Sequence, residues 1–487
     1  MGESTAHHRI ERPGLHIVLL SLHGLVRGHD IELGRDADTG GQITYVVELA
    51  RTLAARPDVA RVDLLTRLIR DPAVSADYAA PREPLAPGAW IVRLPCGPDG
   101  YLPKEKLWPH LDEFTRRTLA WLSESGRRPH VIHAHYADAA YVGASLASVL
   151  DVPLVFTAHS LGRVKLARLL AAGEDPARLE ERFQFRRRFA AEETAMARAA
   201  LCVASTRQEM VEQYGLYRKA DPAKIVVIPP GVDLSRFRPA PSGWRRPAIA
   251  RELGRFLRRP QLPMILALAR PDRRKNFHNL LHAFGRDPEL RRRANLVIVA
   301  GNRDRLDDLS PDAAAVWREI LTLVDDYDLY GSVAVPKHHT RDDVPELYRL
   351  AAATGGVLVN PALTEPFGLT LLEAAACGLP VVATDDGGPV DIVKNCRNGL
   401  LVDPLRPESI AAALREALAD RRRWREWSAQ GVRNVRRLYG WPAHAERYMT
   451  ALRRHAGIPA QATPLPAWTA VPARRAAAGQ WLDSKTS

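Results

Sequence analysis

"LHIVLLSLHGLVRGHDIELGRDADTGGQITYVVELA", Leu15 to Ala50, opens as an uninterrupted apolar run. It then crosses a charged loop carrying the pair Gly40-Gly41 and ends in an amphipathic helix pattern. The same alternation of short β-branched runs with helix-period segments continues along the chain. "VDLL", "WIVRL", "VIHAH", "PLVFTAHS", "LCVAS" and "KIVVIPPG" follow in the first half. "PMILALAR", "NLVIVAG", "GSVAVP", "GGVLVNP", "LPVVATD" and "NGLLVDP" repeat the theme in the second. Strands that are apolar throughout, rather than at every second residue, belong to parallel sheets covered on both faces. The pattern predicts two doubly wound α/β domains.

A chain of 487 residues exceeds what one hydrophobic core organises, which agrees with two large domains. The polar, arginine- and proline-rich stretch from about Pro229 to Pro263 cannot carry a buried strand, so it marks the boundary and a hinge. We draw an N-terminal domain over residues 1–235 and a C-terminal domain over 236–439. The segment of about 440–458, "WPAHAERYMTALRRHAG" at its heart, has helical periodicity and is expected to pack back on the first domain. The alanine- and proline-rich residues 460–487 read as a flexible tail.

Composition narrows the function classes. With 46% hydrophobic and 26% charged residues, and no apolar run long enough to cross a bilayer, a membrane protein is not expected. The first residues, "MGESTAHHRIERPG", lack the apolar core of a secretory signal, which makes the cytoplasm the expected location. Cys96, Cys202, Cys377 and Cys396 are scattered without a CxxC pair, so neither a zinc ribbon nor a disulfide framework is expected. The formal charge of +13 suits a nucleic-acid partner or an anionic, phosphorylated substrate equally well. Its arginines are dispersed along helix-like segments, and no zinc-finger spacing or aromatic RNA-binding signature accompanies them, so no nucleic acid is expected.

In open α/β sheets ligands bind beyond the carboxyl ends of the strands, and that rule picks out residues. His23 and Gly24 follow the first run. Gly40, Gly41 and Gln42 precede a helix whose free amides favour an anion or a polar sugar, although an ordinary glycine turn at a helix start has the same letters. His159 and Ser160 follow "PLVFTA", with Lys165 five residues on. "QFRRRFAAEE" places Arg186 and Arg188 near each other, as guanidinium forks for a phosphate or as a solvated basic helix.

The second half carries a more specific pattern. Arg270 and Lys275 lie in the loop after "PMILAL", two cations suited to a diphosphate or to a salt bridge. "EPFGLTLLE", Glu365 to Glu373, combines a loop carboxylate, a Pro-Phe-Gly turn, a helix start and a second carboxylate eight residues later. Glu365 reaches sugar hydroxyls at the helix mouth, amides around Gly368, Leu369 and Thr370 meet phosphate, and Glu373 faces a ribose. A hydrolytic carboxylate pair is the weaker reading, because neither spacing nor turn calls for water activation.

These residues resemble the Glu-x7-Glu signature of retaining nucleotide-sugar glycosyltransferases. That likeness implies the GT-B fold, two Rossmann-like doubly wound parallel-sheet domains facing a central cleft. "SLHGLVRGHDIELGRDADTGGQITYVVELAR", "YLPKEKLWPH", "HAHYADA", "FTAHSLGRVK" and "VNPALTEPFGLTLLEAAACGLPVVAT" closely resemble segments of the sucrose-phosphate synthase family, in the family's order, over residues 15 to 455. The resemblance implies transfer of glucose from UDP-glucose or ADP-glucose to fructose 6-phosphate, giving sucrose 6-phosphate with retention. It implies that Gly41 and Gln42 touch the fructose, while Lys104, Ser160, Lys165, Arg186 and Arg188 hold the acceptor and its phosphate. His159 then faces the donor glucose, Arg270 and Lys275 its diphosphate, Glu365 the glucose hydroxyls and Glu373 the ribose.

The resemblance further implies no enzyme nucleophile, no metal and no cofactor, the nucleotide sugar being a substrate. The phosphatase-like domain that some family members carry is not recognised here, so a separate sucrose-phosphate phosphatase is expected to act downstream. A sucrose synthase using free fructose, and a catalytically silent nucleotide-sugar-binding protein, are the rival expectations. Lys104, Arg186 and Arg188 favour a phosphorylated acceptor over the first, and the full set of Glu365, Glu373, Arg270, Lys275 and His159 speaks against the second.

Overall fold

The computed structural model describes residues 14–32, 35–36 and 38–459; the tail expected at 460–487 lies outside them. Two compact units emerge. The first gathers the described residues up to Ser205, Met210–Ile228 and those from Ala445 on, and the second holds Thr206–Glu209 and Pro229–His444.

In the first unit the apolar runs become β1 (Leu15–Leu20), β2 (Val59–Arg67), β4 (Ala89–Leu94), β5 (Val131–His135), β6 (Leu154–Thr157), β7 (Leu201–Ala204) and β8 (Ile225–Val227), with β3 (Arg82–Ala86) added between β2 and β4. They form one sheet in the order β3-β4-β2-β1-β5-β6-β7-β8. Every pairing is parallel except β3 with β4. β3 is the antiparallel member of this otherwise parallel sheet. "REPLA" carries charges and a proline, and an edge strand tolerates both because one of its sides needs no ladder partner.

The second unit contains β9 (Met264–Leu268), β10 (Asn295–Val299), β11 (Val333–Ala334), β12 (Val357–Asn360), β13 (Val381–Thr384) and β14 (Gly399–Val402). Their order is β11-β10-β9-β12-β13-β14, all parallel. "GSVAVP" supplies only a two-residue edge strand. In both sheets the earliest strand sits inside and the chain reverses direction of growth beside it, at β1/β5 and at β9/β12. Each sheet therefore has one crevice at the carboxyl ends of those neighbours, where loops diverge.

Helix packing follows the sequence pattern. The helix Gly41–Ala54 buries Ile43, Val46, Val47, Ala50 and Leu53, spaced as one stripe against the sheet. Each isoleucine, valine or leucine among them contributes about 1.5–3 kcal/mol on removal from water. The helix Trp441–Ala456 packs on the first unit from Ala445 on. Tyr448 is fully buried there, its ring stacked 5.3 Å from that of His133, and Glu446 pairs with Arg56 at 2.7 Å. All four cysteines are buried and free. Among the described residues no helix is long and apolar enough to cross a membrane.

Candidate active site

At the β1/β5 crevice of the first unit, His23 Nδ1 lies 2.8 Å from Asp138 Oδ2, both side chains buried. Asp138 stands in the first turn of the helix Tyr136–Leu150, which leaves β5 directly. Beside it begins the helix Gly41–Ala54, whose N-cap Gly40 supplies no side-chain bond and whose first turn holds no acidic residue. A Cβ built on Gly40 or Gly41 would meet no atom within 4 Å. These glycines therefore keep open space in front of uncapped amides, a setting for an anionic or polyhydroxylated ligand. Gln42 Nε2 is held 3.2 Å from Ser21 Oγ.

A pocket opens nearby, lined by the cations Lys104, Lys165 and Arg188, the rings of Trp108, Tyr136 and Phe183, and the carboxylates of Glu105 and Asp138. Lys104 is paired with Asp38. Lys165 Nζ sits 3.6 Å over the Phe183 ring and 3.9 Å from Glu105. Burial, aided by the Lys104 charge, pushes the Lys165 amine down to about 8. Arg188 is buried, lies 4.6 Å over the Tyr136 ring, and donates to Glu192 at 2.9 Å and to the Ser160 carbonyl at 2.7 Å. Gly162 permits this approach: a Cβ there would come within 2.9 Å of Arg188 Nε.

Arg186 does not join Arg188. The two stand on the helix Phe185–Arg198, and residues two apart point roughly 200° from each other around a helix. Arg188 faces inward while Arg186 is exposed. The expected pair of forks is corrected to one arginine and two lysines around the pocket.

His159 lies in the loop that follows β6, with φ of 55°, in the left-handed region. Its Nε2 lies 2.9 Å from His135 Nδ1, and the Tyr45 ring meets it edge-on at 4.9 Å. Burial, with the nearby His23, pushes its pKa down to about 3, so the imidazole is neutral at neutral pH. It acts as a hydrogen-bonding group there, not as a cation.

At the β9/β12 crevice of the second unit, Lys275 Nζ and Glu365 Oε2 pair at 2.7 Å, and Asn360 donates to the same oxygen at 3.1 Å. Arg270 is exposed in the same loop as Lys275. The Glu365 loop is clamped by the "GGP" turn: Gly388 donates its amide to the Glu365 carbonyl at 3.0 Å. A Cβ on Gly387, whose φ is 94°, would fall 2.0 Å from that carbonyl oxygen. Gly368, φ 98°, then starts the helix Leu369–Ala376 without a side-chain cap, leaving the amides of Leu369 and Thr370 at an open N-terminus. Tyr348 Oη donates to Glu373 at 3.0 Å, and burial pushes the Glu373 carboxyl up to about 7.

The strand-end rule placed most of these groups but passed over Asp138, Glu105 and the three aromatic rings. Asp138 lies three residues beyond "VIHAH", and the same rule, applied there, selects it. Glu105 and Trp108 sit in short 3-10 turns, Lys104–Lys106 and Trp108–His110, which have no periodicity to read.

Two family models divide the chain between them: "Glycosyltransferase Family 4" matches residues 39–236 and "Glycosyl transferases group 1" residues 251–433. A probable sucrose-phosphate synthase 5 of Oryza sativa subsp. japonica is 46% identical across 92% of this chain and 52% of its own. The sucrose-phosphate synthase of Zea mays is 46% identical across 90% and 47%. The chain belongs to the sucrose-phosphate synthase family of glycosyltransferases. The solved sucrose-phosphate synthase of Thermosynechococcus elongatus superposes with a TM-score of 0.67 at 29% identity, covering 90% of this chain and 98% of that one. The fold is GT-B. The chain spans about half the length of the curated sucrose-phosphate synthases it matches.

Proposed function

We propose that this chain transfers glucose, with retention, from UDP-glucose or ADP-glucose to fructose 6-phosphate, yielding sucrose 6-phosphate. The observation that carries this reading is the cation- and aromatic-lined pocket of Lys104, Lys165 and Arg188 beside the uncapped amides at Gly41. A sugar phosphate offers the charge for the lysines, and its ring hydroxyls suit Gln42 and the helix mouth. Free fructose offers no negative charge to this cationic lining.

In this reading the second unit holds the donor. The amides at Gly368 to Thr370, with Arg270 and Lys275, take the diphosphate charge that grows as the glycosidic bond breaks, which is the electrostatic task that dominates such transfers. Glu365, oriented by Lys275 and Asn360, accepts from glucose hydroxyls, and Glu373 from the ribose. The leaving diphosphate oxygen takes the proton of the attacking fructose hydroxyl, so no side chain forms a covalent intermediate and orientation does the remaining work. Ser160 and the neutral His159 line the sugar site. We place no resident cofactor or metal in this scheme. The reaction is assigned to the cytoplasm, and a separate phosphatase then consumes the product.

The test is the product itself. NMR of the purified product should show an α-configured glucosyl unit joined to the anomeric carbon of a phosphorylated fructose. A β-glucosyl product, or unphosphorylated sucrose as the sole product from a mixture of both acceptors, would overturn the reading.

A further inference from the structure

Away from the crevice, the second unit carries a paired-imidazole cluster that the transferase reading does not use. His278 and His282 lie four residues apart on the helix Phe277–Gly285, hence on one face. Their Nε2 atoms lie 3.0 Å apart, with the rings edge to face and centroids 4.3 Å apart. Both outer nitrogens are tied down from the helix Pro311–Asp326 and the residue that follows it. His278 Nδ1 meets Glu319 Oε1 at 2.8 Å, and His282 Nδ1 meets Tyr327 Oη at 2.7 Å. Arg286 donates to the same Tyr327 oxygen at 2.9 Å. Gly285 makes room for that arrangement, since a Cβ there would lie 2.5 Å from the Tyr327 ring.

We propose that His278 and His282 chelate one borderline divalent transition-metal ion, Zn2+, Ni2+ or Cu2+, through their Nε2 atoms, with water in the remaining positions. Metal–imidazole bonds of about 2.0–2.1 Å place two adjacent ligand nitrogens about 2.9–3.4 Å apart, and the observed separation falls in that range. Imidazole is a ligand that suits these ions. A carboxylate on the far nitrogen of one ring and a phenol on that of the other are the outer contacts that fix tautomer and ring direction in histidine metal sites. Among the described residues no three His, Cys, Asp or Glu side chains surround a common point, so this is a two-ligand site. The partial exposure of His278 and Glu319, 47% and 44%, gives water the access it needs.

The chemistry balances without a co-reactant. With the ion absent, His282 Nε2–H donates to His278 Nε2 while His278 Nδ1–H donates to Glu319. On binding, the His282 proton moves to Nδ1, where Tyr327 Oη accepts it, and both Nε2 lone pairs turn to the ion. Protonation of either ring opposes binding. The groups facing His282, namely His278, Arg286, Glu319, Asp326 and Tyr327, set where that occurs. Burial, His278 and Arg286 hold the His282 pKa below its ordinary value.

The experiment titrates the untagged full chain with Cu2+ and Zn2+ by calorimetry at pH 7.5 and 5.5, with electron paramagnetic resonance of the Cu2+ form. One site per chain is expected, with two nitrogens coupled to copper and weaker binding at pH 5.5. His278→Ala with His282→Ala should abolish that site, and Glu319→Gln should weaken it about 10–100-fold. The more conservative His282→Gln guards against misfolding, and it too should lose the two-nitrogen signal with an unchanged metal-free melting temperature. A wild-type chain that takes up no ion, or a double variant that binds as the wild type does, would overturn the proposal.

Discussion

Lys275 Nζ and Glu365 Oε2 stand 2.7 Å apart, joining the loops that leave β9 and β12, the neighbours at which the second sheet reverses. His23 and Asp138 make the corresponding link between the loop after β1 and the first turn of the helix that leaves β5. In each unit a charged or chargeable pair thus fixes two diverging segments at the crevice where the topology makes room for a ligand. Both members of the Lys275–Glu365 pair are oriented before any substrate arrives, which lowers the cost of organising them in the transition state.

Glu365→Gln keeps the side-chain volume but releases Lys275 and weakens the hold on donor hydroxyls. Turnover should fall roughly 100-fold or more, the range for losing one oriented electrostatic group, with the circular dichroism spectrum unchanged. A rate within a factor of two of the wild type would remove Glu365 from the site.

Gly41→Ala tests the open space directly. Its Cβ meets no protein atom within 4 Å, and alanine is favoured over glycine in a helix by about 1 kcal/mol, so the melting temperature should hold or rise. Activity should nevertheless drop at least tenfold in kcat/KM for the acceptor, because the methyl group occupies the ligand's approach. Unchanged kinetics would show that nothing binds there.

The pocket cations separate by exposure. Arg186→Ala should change acceptor KM less than twofold, as a substitution at an exposed position outside the pocket lining. Arg188→Ala is a poor probe, since stripping the partner from buried Glu192 costs about 3–5 kcal/mol of stability. Lys165→Met is the better one: the KM for fructose 6-phosphate should rise at least tenfold and that for the nucleotide sugar little, as steady-state kinetics with each substrate varied would report. Equal effects on both substrates would contradict the assignment.

Lys165 also sets a pH dependence. Its amine is held at about 8, so its charge is present below pH 8 and disappears above it, and the acceptor KM of the free enzyme should climb from pH 8 to 9.5. Lys165→Arg, always charged, should flatten that limb. Because the folded chain holds this proton less tightly than the unfolded chain, the same group adds stability as pH rises through and beyond 8.

Glu373 behaves oppositely. Its pKa of about 7 in the fold, against 4.5 ordinarily, means that it contributes stability below pH 4.5 which is lost as pH rises through 7. Glu373→Gln removes that loss. Its melting temperature should exceed the wild type's by a few degrees at pH 8 and by less at pH 5.5, while the donor KM rises. A gain independent of pH would show that the carboxylate does not titrate there.

The strands were legible because parallel, doubly covered strands must be apolar at every position, and "LHIVLL" or "NLVIV" has few other uses. β3 was not, since an edge strand with Pro84 and alternating exposure carries no such signature. The Glu365 to Glu373 segment was legible as a local unit because loop, turn and helix start are contiguous in sequence. Asp138 and Glu105 meet Lys165 and Arg188 only through tertiary packing, and no spacing encodes that. The Arg186 and Arg188 pairing failed for a simpler reason: neighbours in sequence at i and i+2 are not neighbours on a helix.

The most direct measurement is nucleoside diphosphate release by the purified chain with UDP-glucose or ADP-glucose, each offered fructose 6-phosphate, fructose or no acceptor. The account predicts release dependent on fructose 6-phosphate and at least tenfold slower with fructose. Equal or faster release with free fructose, or none with any pair, would contradict it.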